Sequence, residues 1–307
     1  AVVENDLFIL NASYLYLYSL HGDLKETRQL AYSKPILKSN DYFALLYENG
    51  GTRFRVDRQS GNVYTKTMDQ AIITGAISST GVVALVTESD LYSCVLQIFD
   101  KNGKKLYTRN CIERLSDIAF NEDSTGCVFT ELSAVDGDVT ATLKCIQFDT
   151  TDYTWESEPL TTLSLALSLT ENNHACVIGD TTCAYYDDKG NLESQYDYGG
   201  TLENYAVDAG NAAVLIRDEE KRETKLVIFP GSASEPIEIV VNGDAKAVQV
   251  YGDRVYMMNA ETVIAYNFSG KAVATVRLDS TYDSFLKKDN YLFLLRYDKI
   301  DRVDFKE

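Results

Sequence analysis

The chain has 307 residues, 45% of them apolar and 24% charged, which is enough for one large core or two ordinary ones. Twenty-nine Lys and Arg against 46 Asp and Glu leave a net charge of −17. This argues against nucleic acid and anionic lipid headgroups as partners, because both need clustered cations. No window approaches ~18 consecutive apolar residues, so no part of the chain is expected to insert into a membrane, and residues 1–5 do not read as a signal peptide.

In chain order, one pattern recurs: an alternating apolar run, an acidic or polar residue, a Gly turn, then a second alternating run. It is first seen at Tyr14-Leu-Tyr-Leu-Tyr-Ser-Leu-His-Gly22 and next at Phe54-Arg-Val-Asp-Arg-Gln-Ser-Gly61. Further copies are Leu96-Gln-Ile-Phe-Asp-Lys-Asn-Gly103, Ala184-Tyr-Tyr-Asp-Asp-Lys-Gly190, Leu226-Val-Ile-Phe-Pro-Gly231 and Ile264-Ala-Tyr-Asn-Phe-Ser-Gly270. A degenerate copy without its Gly, Cys145-Ile-Gln-Phe-Asp-Thr-Thr-Asp152, fills the one long gap. The Gly supplies the φ > 0 that a tight hairpin needs, and period-2 alternation marks strands with a buried face.

The copies lie 38 to 49 residues apart, and each interval holds four short runs. In the third unit these are 71–78, 81–87, 91–99 and 104–110; in the seventh, 246–250, 254–258, 262–266 and 271–278. Four strands per ~40–45 residues is the period of propeller blades, and blocks of 3.6-residue periodicity are absent. The expected fold is therefore an all-β propeller of four-stranded antiparallel blades, forming a single domain over 1–307. Residues 1–10 align with 247–256, so the chain opens on an innermost strand. Seven complete units follow, then three runs at 282–287, 291–296 and 300–305, which gives eight blades with the last lacking its outer strand. That strand is expected from residues preceding Ala1 in a longer gene product; seven blades with a C-terminal flap is the alternative.

The six cysteines fall into three pairs across expected hairpins. Cys94 and Cys111 are symmetric about the Asn102-Gly103 turn. Cys127 and Cys145 are symmetric about residue 136, and Cys176 and Cys183 about Gly179-Asp180. Opposed residues on antiparallel strands lie ~4.5–5.5 Å apart at Cα, within the range a disulfide bridges. Three disulfides are expected, with Cys176–Cys183 the least secure, and they imply an oxidising, extracytoplasmic compartment. A one-residue error in turn type would place a pair on opposite faces. No Cys-x-x-Cys spacing suggests zinc.

Catalytic signatures are lacking. His21 lies in an expected turn and His174 opens a strand, and no Gly-x-Ser-x-Gly, phosphate-loop or His-Glu-x-x-His motif occurs. Acidic clusters stand at Asp136 and Asp138, Asp149 and Asp152, Asp187 and Asp188, Asp218, Glu219 and Glu220, and Asp298, Asp301 and Asp304. They could offer oxygens to calcium, but none matches a calcium-loop pattern, and solvated turns are the expectation. Twenty-one Tyr and 12 Phe fall mostly in the alternating runs, where they should pack between blades. Tyr185, Tyr186, Tyr196, Tyr198 and Tyr205 gather near the fifth and sixth blades and could instead form a stacking platform for a glycan or peptide. The longest excursions, 131–140 and 217–222, are the loops where a scaffold would carry function.

With the blades placed, the Phe/Tyr-Asp-x-x-Gly hairpins resemble the repeats of bacterial extracytoplasmic propellers of the quinoprotein-like, WD40-like group. The closest resemblance is to an uncharacterised family of membrane-tethered propellers. It implies an exported domain held by an N-terminal anchor. The Trp that follows the Gly turn in quinoprotein repeats is absent, the single Trp being Trp155, so no quinone cofactor is implied. The expected function is a non-enzymatic cell-envelope scaffold that binds a protein partner through its face loops. The alternatives are a glycan- or peptide-binding sensor and a lyase, lactonase or glycosidase whose carboxylates meet only in three dimensions. A flat apolar patch on one face would favour the first and an aromatic groove the second.

Overall fold

The computed structural model describes residues 1–232, 235–241, 244–297 and 299–305, and every regular element among them is a β-strand. The strands pair antiparallel with their chain neighbours into eight sheets, the blades of an eight-bladed β-propeller. Seven blades are built on four consecutive strands, and the eighth has three: Ser284–Lys288, Tyr291–Arg296 and Lys299–Asp304. The first opens on the short inner strand Val2–Val3, paired with Asp6–Leu10. The chain divides into two compact units, Ala1–Thr161 with blades one to four and Thr162–Glu307 with blades five to eight.

The recurrent acidic or polar residue ahead of each Gly is explained by the turn between the third and fourth strands. In the third blade the backbone N–H of Gly103 donates to the Asp100 carbonyl at 2.8 Å, and the Asp100 N–H donates to the Lys104 carbonyl at 2.8 Å. The Asp100 carboxylate accepts the N–H groups of Asn102 and Lys104 at 2.9 and 2.7 Å. Gly103 takes φ +79°, and the register then shifts by one residue between Ile98 and Phe99. Asp187 and Asn267 repeat this arrangement, and Ser19 repeats it with a hydroxyl. The side chain completes hydrogen bonds that the tight turn leaves open, which is why a short polar residue occupies the position in these four blades.

The core lies between consecutive sheets. Within the third blade Val83, Leu85 and Phe99 pack against Leu45, Phe54 and Val56 of the second. Cys94, Leu96 and Ile98 leave the opposite face toward Ile118, Phe129 and Ile146 of the fourth. All five residues of Val83–Thr87 are buried, as a strand covered on both faces requires. In the second unit equivalent clusters join blades five and six, six and seven, and seven and eight.

Two expected elements differ. The run 91–99 begins as a strand only at Cys94, because the Ser89 hydroxyl accepts the N–H groups of Leu91 and Tyr92, both at 3.2 Å, and curls 89–93 into a turn. The excursion 131–140 is not a loop. It is the end of a long ribbon formed by Gly126–Val135 and Asp138–Gln147, closed by Asp136 and Gly137 at φ 54° and 97° and flanked by Leu160–Thr161. Residues 217–222 form an ordinary hairpin end, in which Asp218 accepts the N–H of Lys221 at 3.0 Å and pairs with its ammonium at 3.0 Å.

Candidate functional site

In a four-stranded meander, the second-to-third hairpin and the exit to the next blade emerge at the same end of the sheet. In the third blade these segments are 88–93 and 112–113, and they carry the two most exposed large apolar side chains described in the first unit, Leu91 at 86% and Ile112 at 77%, with Tyr92 beside them at 42%. The segments are tied together. The Ser93 N–H donates to the Cys111 carbonyl at 3.0 Å, and its hydroxyl donates to the Ile112 carbonyl at 2.6 Å. Arg114 donates to the Ser93 carbonyl at 2.9 Å and pairs with Glu88 at 2.9 Å. Gln70 holds Asp90 at 3.2 Å from the inner edge of the blade. Three apolar side chains therefore stand in water on a braced loop, ringed by Glu88, Asp90 and Glu113 with Arg114 paired to the first of them.

Directly beneath this loop, Cys94 and Cys111 are Cα partners across the strand pair, as their symmetry predicts. Both are buried free thiols. The Cys94 thiol donates to the Glu113 carbonyl at 3.4 Å and that of Cys111 to the Arg109 carbonyl at 3.8 Å. A hydrogen bond from Cys111 holds the Cys94 thiol below its ordinary range against the effect of burial, and Arg114 adds to it. Cys111 is correspondingly pushed up.

The other two pairs do not face each other as expected. The two-residue turn at Asp136 and Gly137 sets Val128 opposite Cys145, so Cys127 and Cys145 leave the ribbon on opposite faces. Gly179 belongs to the strand Ala175–Gly179, where it pairs with Ser164, rather than to the turn. Ile178 therefore opposes Cys183, while Cys176 opposes Tyr185, and the two thiols are diagonal neighbours on one face. Cys127, Cys145, Cys176 and Cys183 are free thiols as well.

The tyrosine platform is also redistributed. Every residue of Thr182–Tyr186 is buried, which takes Tyr185 and Tyr186 into the core, and Tyr198 is buried beside them. Tyr196 remains half-buried and stands edge-on to Phe229 with ring centroids 5.4 Å apart. Its hydroxyl donates to Glu238 at 2.7 Å. These two rings line a cleft of about 440 Å³ together with Glu193, Gln195, Glu235 and Pro236. His174 Nδ1 lies 3.0 Å from Glu193. Tyr205 is on the inner strand Thr201–Asp208 of the sixth blade, its hydroxyl donating to the Leu165 carbonyl at 3.4 Å. Asp218, Glu219 and Glu220 sit at the end of that blade opposite to the cleft, so the residues grouped by sequence do not form one surface.

Among the described residues no group of three or more His, Cys, Asp or Glu side chains could hold a metal ion. Asp187 is a turn residue, Asp301 accepts from Tyr282 at 3.1 Å and pairs with Lys299, and Asp298 lies outside the described residues. His21 follows Ser19 in the first turn, where its N–H donates to the Ser19 hydroxyl at 3.2 Å. The Leu91, Tyr92 and Ile112 group was missed by sequence reasoning. A polar Ser either side of Asp90-Leu91-Tyr92 was the available sign that these apolar residues belong to a turn.

A family model described as a family of unknown function (DUF5711) matches residues 2–305. No curated protein matches the sequence. Among solved structures the chain is similar to the computationally designed Ika8 protein, at 15% identity and a TM-score of 0.70, over 100% of this chain and 95% of that one. It is also similar to BamB from Moraxella catarrhalis, at 11% identity and a TM-score of 0.56, over 96% and 92% of the two chains. The Pan2 WD40 domain of Neurospora crassa aligns at 11% identity and a TM-score of 0.54, over 85% of each chain. At such identities the likeness concerns the fold.

Proposed function

Since the chain belongs to the DUF5711 family of unknown function, its role has to be argued from its surface, and we propose a non-enzymatic interaction scaffold of the cell envelope. The single observation that carries this reading is the braced apolar loop end of the third blade. Leu91, Tyr92 and Ile112 could bury themselves only against another molecule, and their loop is already ordered by Ser89, Ser93 and Arg114, so little conformational entropy is lost on binding. The acidic ring of Glu88, Asp90 and Glu113 and the net charge of −17 select a protein segment with apolar anchors flanked by Lys or Arg. The resemblance of the hairpins to those of exported propellers supports an extracytoplasmic location with tethering through an N-terminal segment, and a bridge between the facing Cys94 and Cys111 would fit it.

A photoreactive amino acid placed at Tyr92 in native cells tests the reading, with Tyr42, exposed at the opposite end of the second blade, as the control site. A discrete crosslinked protein at Tyr92 alone, lost when Leu91→Ser and Ile112→Ser are combined, is the expected result. Equal crosslinking at both sites, or none at Tyr92, overturns it.

The cleft of Tyr196 and Phe229 favours a second reading, a glycan- or peptide-binding sensor, because an aromatic wall beside two carboxylates suits stacking with polar orientation. Binding of defined oligosaccharides or peptides that Tyr196→Ala abolishes and Leu91→Ser leaves intact would identify it.

A further inference from the structure

We infer that Cys94 and Cys111 close a cross-strand disulfide at the base of the docking loop, the one pair among the six cysteines that the register sets directly opposite each other. The register carries this. Cys94 and Cys111 are direct Cα partners, at the separation a disulfide spans. Cys176 and Cys183 are diagonal neighbours rather than direct partners, the less favourable Cα geometry for a bridge although their thiols are in contact. Cys127 and Cys145 point away from each other.

The chemistry is thiol–disulfide exchange with a small-molecule or protein disulfide as oxidant. The Cys94 thiol gives up its proton and attacks one sulfur of the oxidant, whose S–S bond breaks and releases one thiolate that takes up a proton. Cys111 then gives up its proton and attacks the Cys94 sulfur in the mixed disulfide, releasing the second thiol. Two protein thiols are oxidised, and one disulfide is reduced to two thiols. Both sulfurs are buried, so the exchange takes place while the strand pair is opening, during folding or local unfolding of the loop. The bond holds together the segment next to Tyr92 and the segment that carries Ile112. Only this last consequence rests on the docking reading.

The full chain is refolded in a buffer of oxidised and reduced glutathione, then denatured without reductant, and its free thiols are counted by alkylation and mass spectrometry. Four free thiols and a peptide bridged between Cys94 and Cys111 are expected, with all five remaining thiols free in both Cys94→Ser and Cys111→Ser. The oxidised protein should melt roughly 5 °C above the reduced one, because a 16-residue segment is closed in the unfolded chain. Six free thiols in the wild type, or a bridge between any other pair, overturns the inference. The thiol count does not depend on any partner, so failure of the crosslinking test leaves this result standing, and the reverse.

Discussion

The carboxylate of Asp100 accepts the backbone N–H of Lys104 at 2.7 Å, and Ser19, Asp187 and Asn267 make the same bond to the residue four positions on in their own blades. Losing it leaves turn donors open, so Asp100→Ala should cost about 1 kcal/mol. Gly103→Ala should cost more, about 2 kcal/mol. The residue is held at φ +79°, and a new Cβ would come within 2.9 Å of the Tyr64 ring. Urea unfolding of the two variants checks the order. Equal stability of Gly103→Ala and wild type would sink this account of the turn.

Glu131 is buried at the start of the projecting ribbon and pairs with Lys144 at 2.7 Å. The Lys144 ammonium also lies 4.6 Å from the Tyr153 ring centroid, and the Arg109 guanidinium stacks on the same ring at 3.8 Å. Removing only the acid leaves Lys144 and Arg109 around one aromatic ring, with the half-exposed Glu156 at 3.5 Å as the remaining carboxylate on Lys144. Glu131→Ala should therefore destabilise by about 3 kcal/mol, and adding Lys144→Met should restore most of the loss. A double-mutant cycle by chemical denaturation measures it; additive losses would show that the pair does not interact.

Burial raises the phenols of Tyr64, Tyr185, Tyr186 and Tyr198, that of Tyr186 to about 12 against an ordinary 10. The folded chain keeps protons that the unfolded chain loses between those values. This contribution to stability is complete below pH 10 and falls as pH rises toward 12. Tyrosinate absorbance should accordingly show a subset of the 21 tyrosines ionising only as ellipticity is lost. If all of them titrate together near pH 10 while the strands persist, these rings are not sealed.

Leu91, Tyr92 and Ile112 are anchored through backbone and serine contacts rather than through their own side chains. The variant carrying Leu91→Ser and Ile112→Ser should keep its stability within about 0.5 kcal/mol of wild type. Calorimetry decides it. A loss comparable to a core truncation, roughly 2–5 kcal/mol, would mean that the two side chains are packed rather than presented.

Blade number, blade period and the turn residues were all written in the sequence, because each depends on neighbours a few positions away. Alternation fixes which side chains share a face, and a polar residue three positions before Gly fixes the hairpin. The same local rules placed Cys94 opposite Cys111 correctly, even though the turn between them is longer than two residues. They failed where one residue changes the outcome. Gly179 ends a strand rather than starting a turn because it pairs with Ser164, 15 positions earlier in the chain, and Asp136 with Gly137 moved Cys127 to the far face. Exposure was the other quantity outside local reach. Tyr185 and Leu91 look alike as apolar residues in alternating runs, but the neighbouring sheet covers the first, and nothing among the described residues covers the second. Burial is set by what packs against a strand, and that is known only once the blades are stacked.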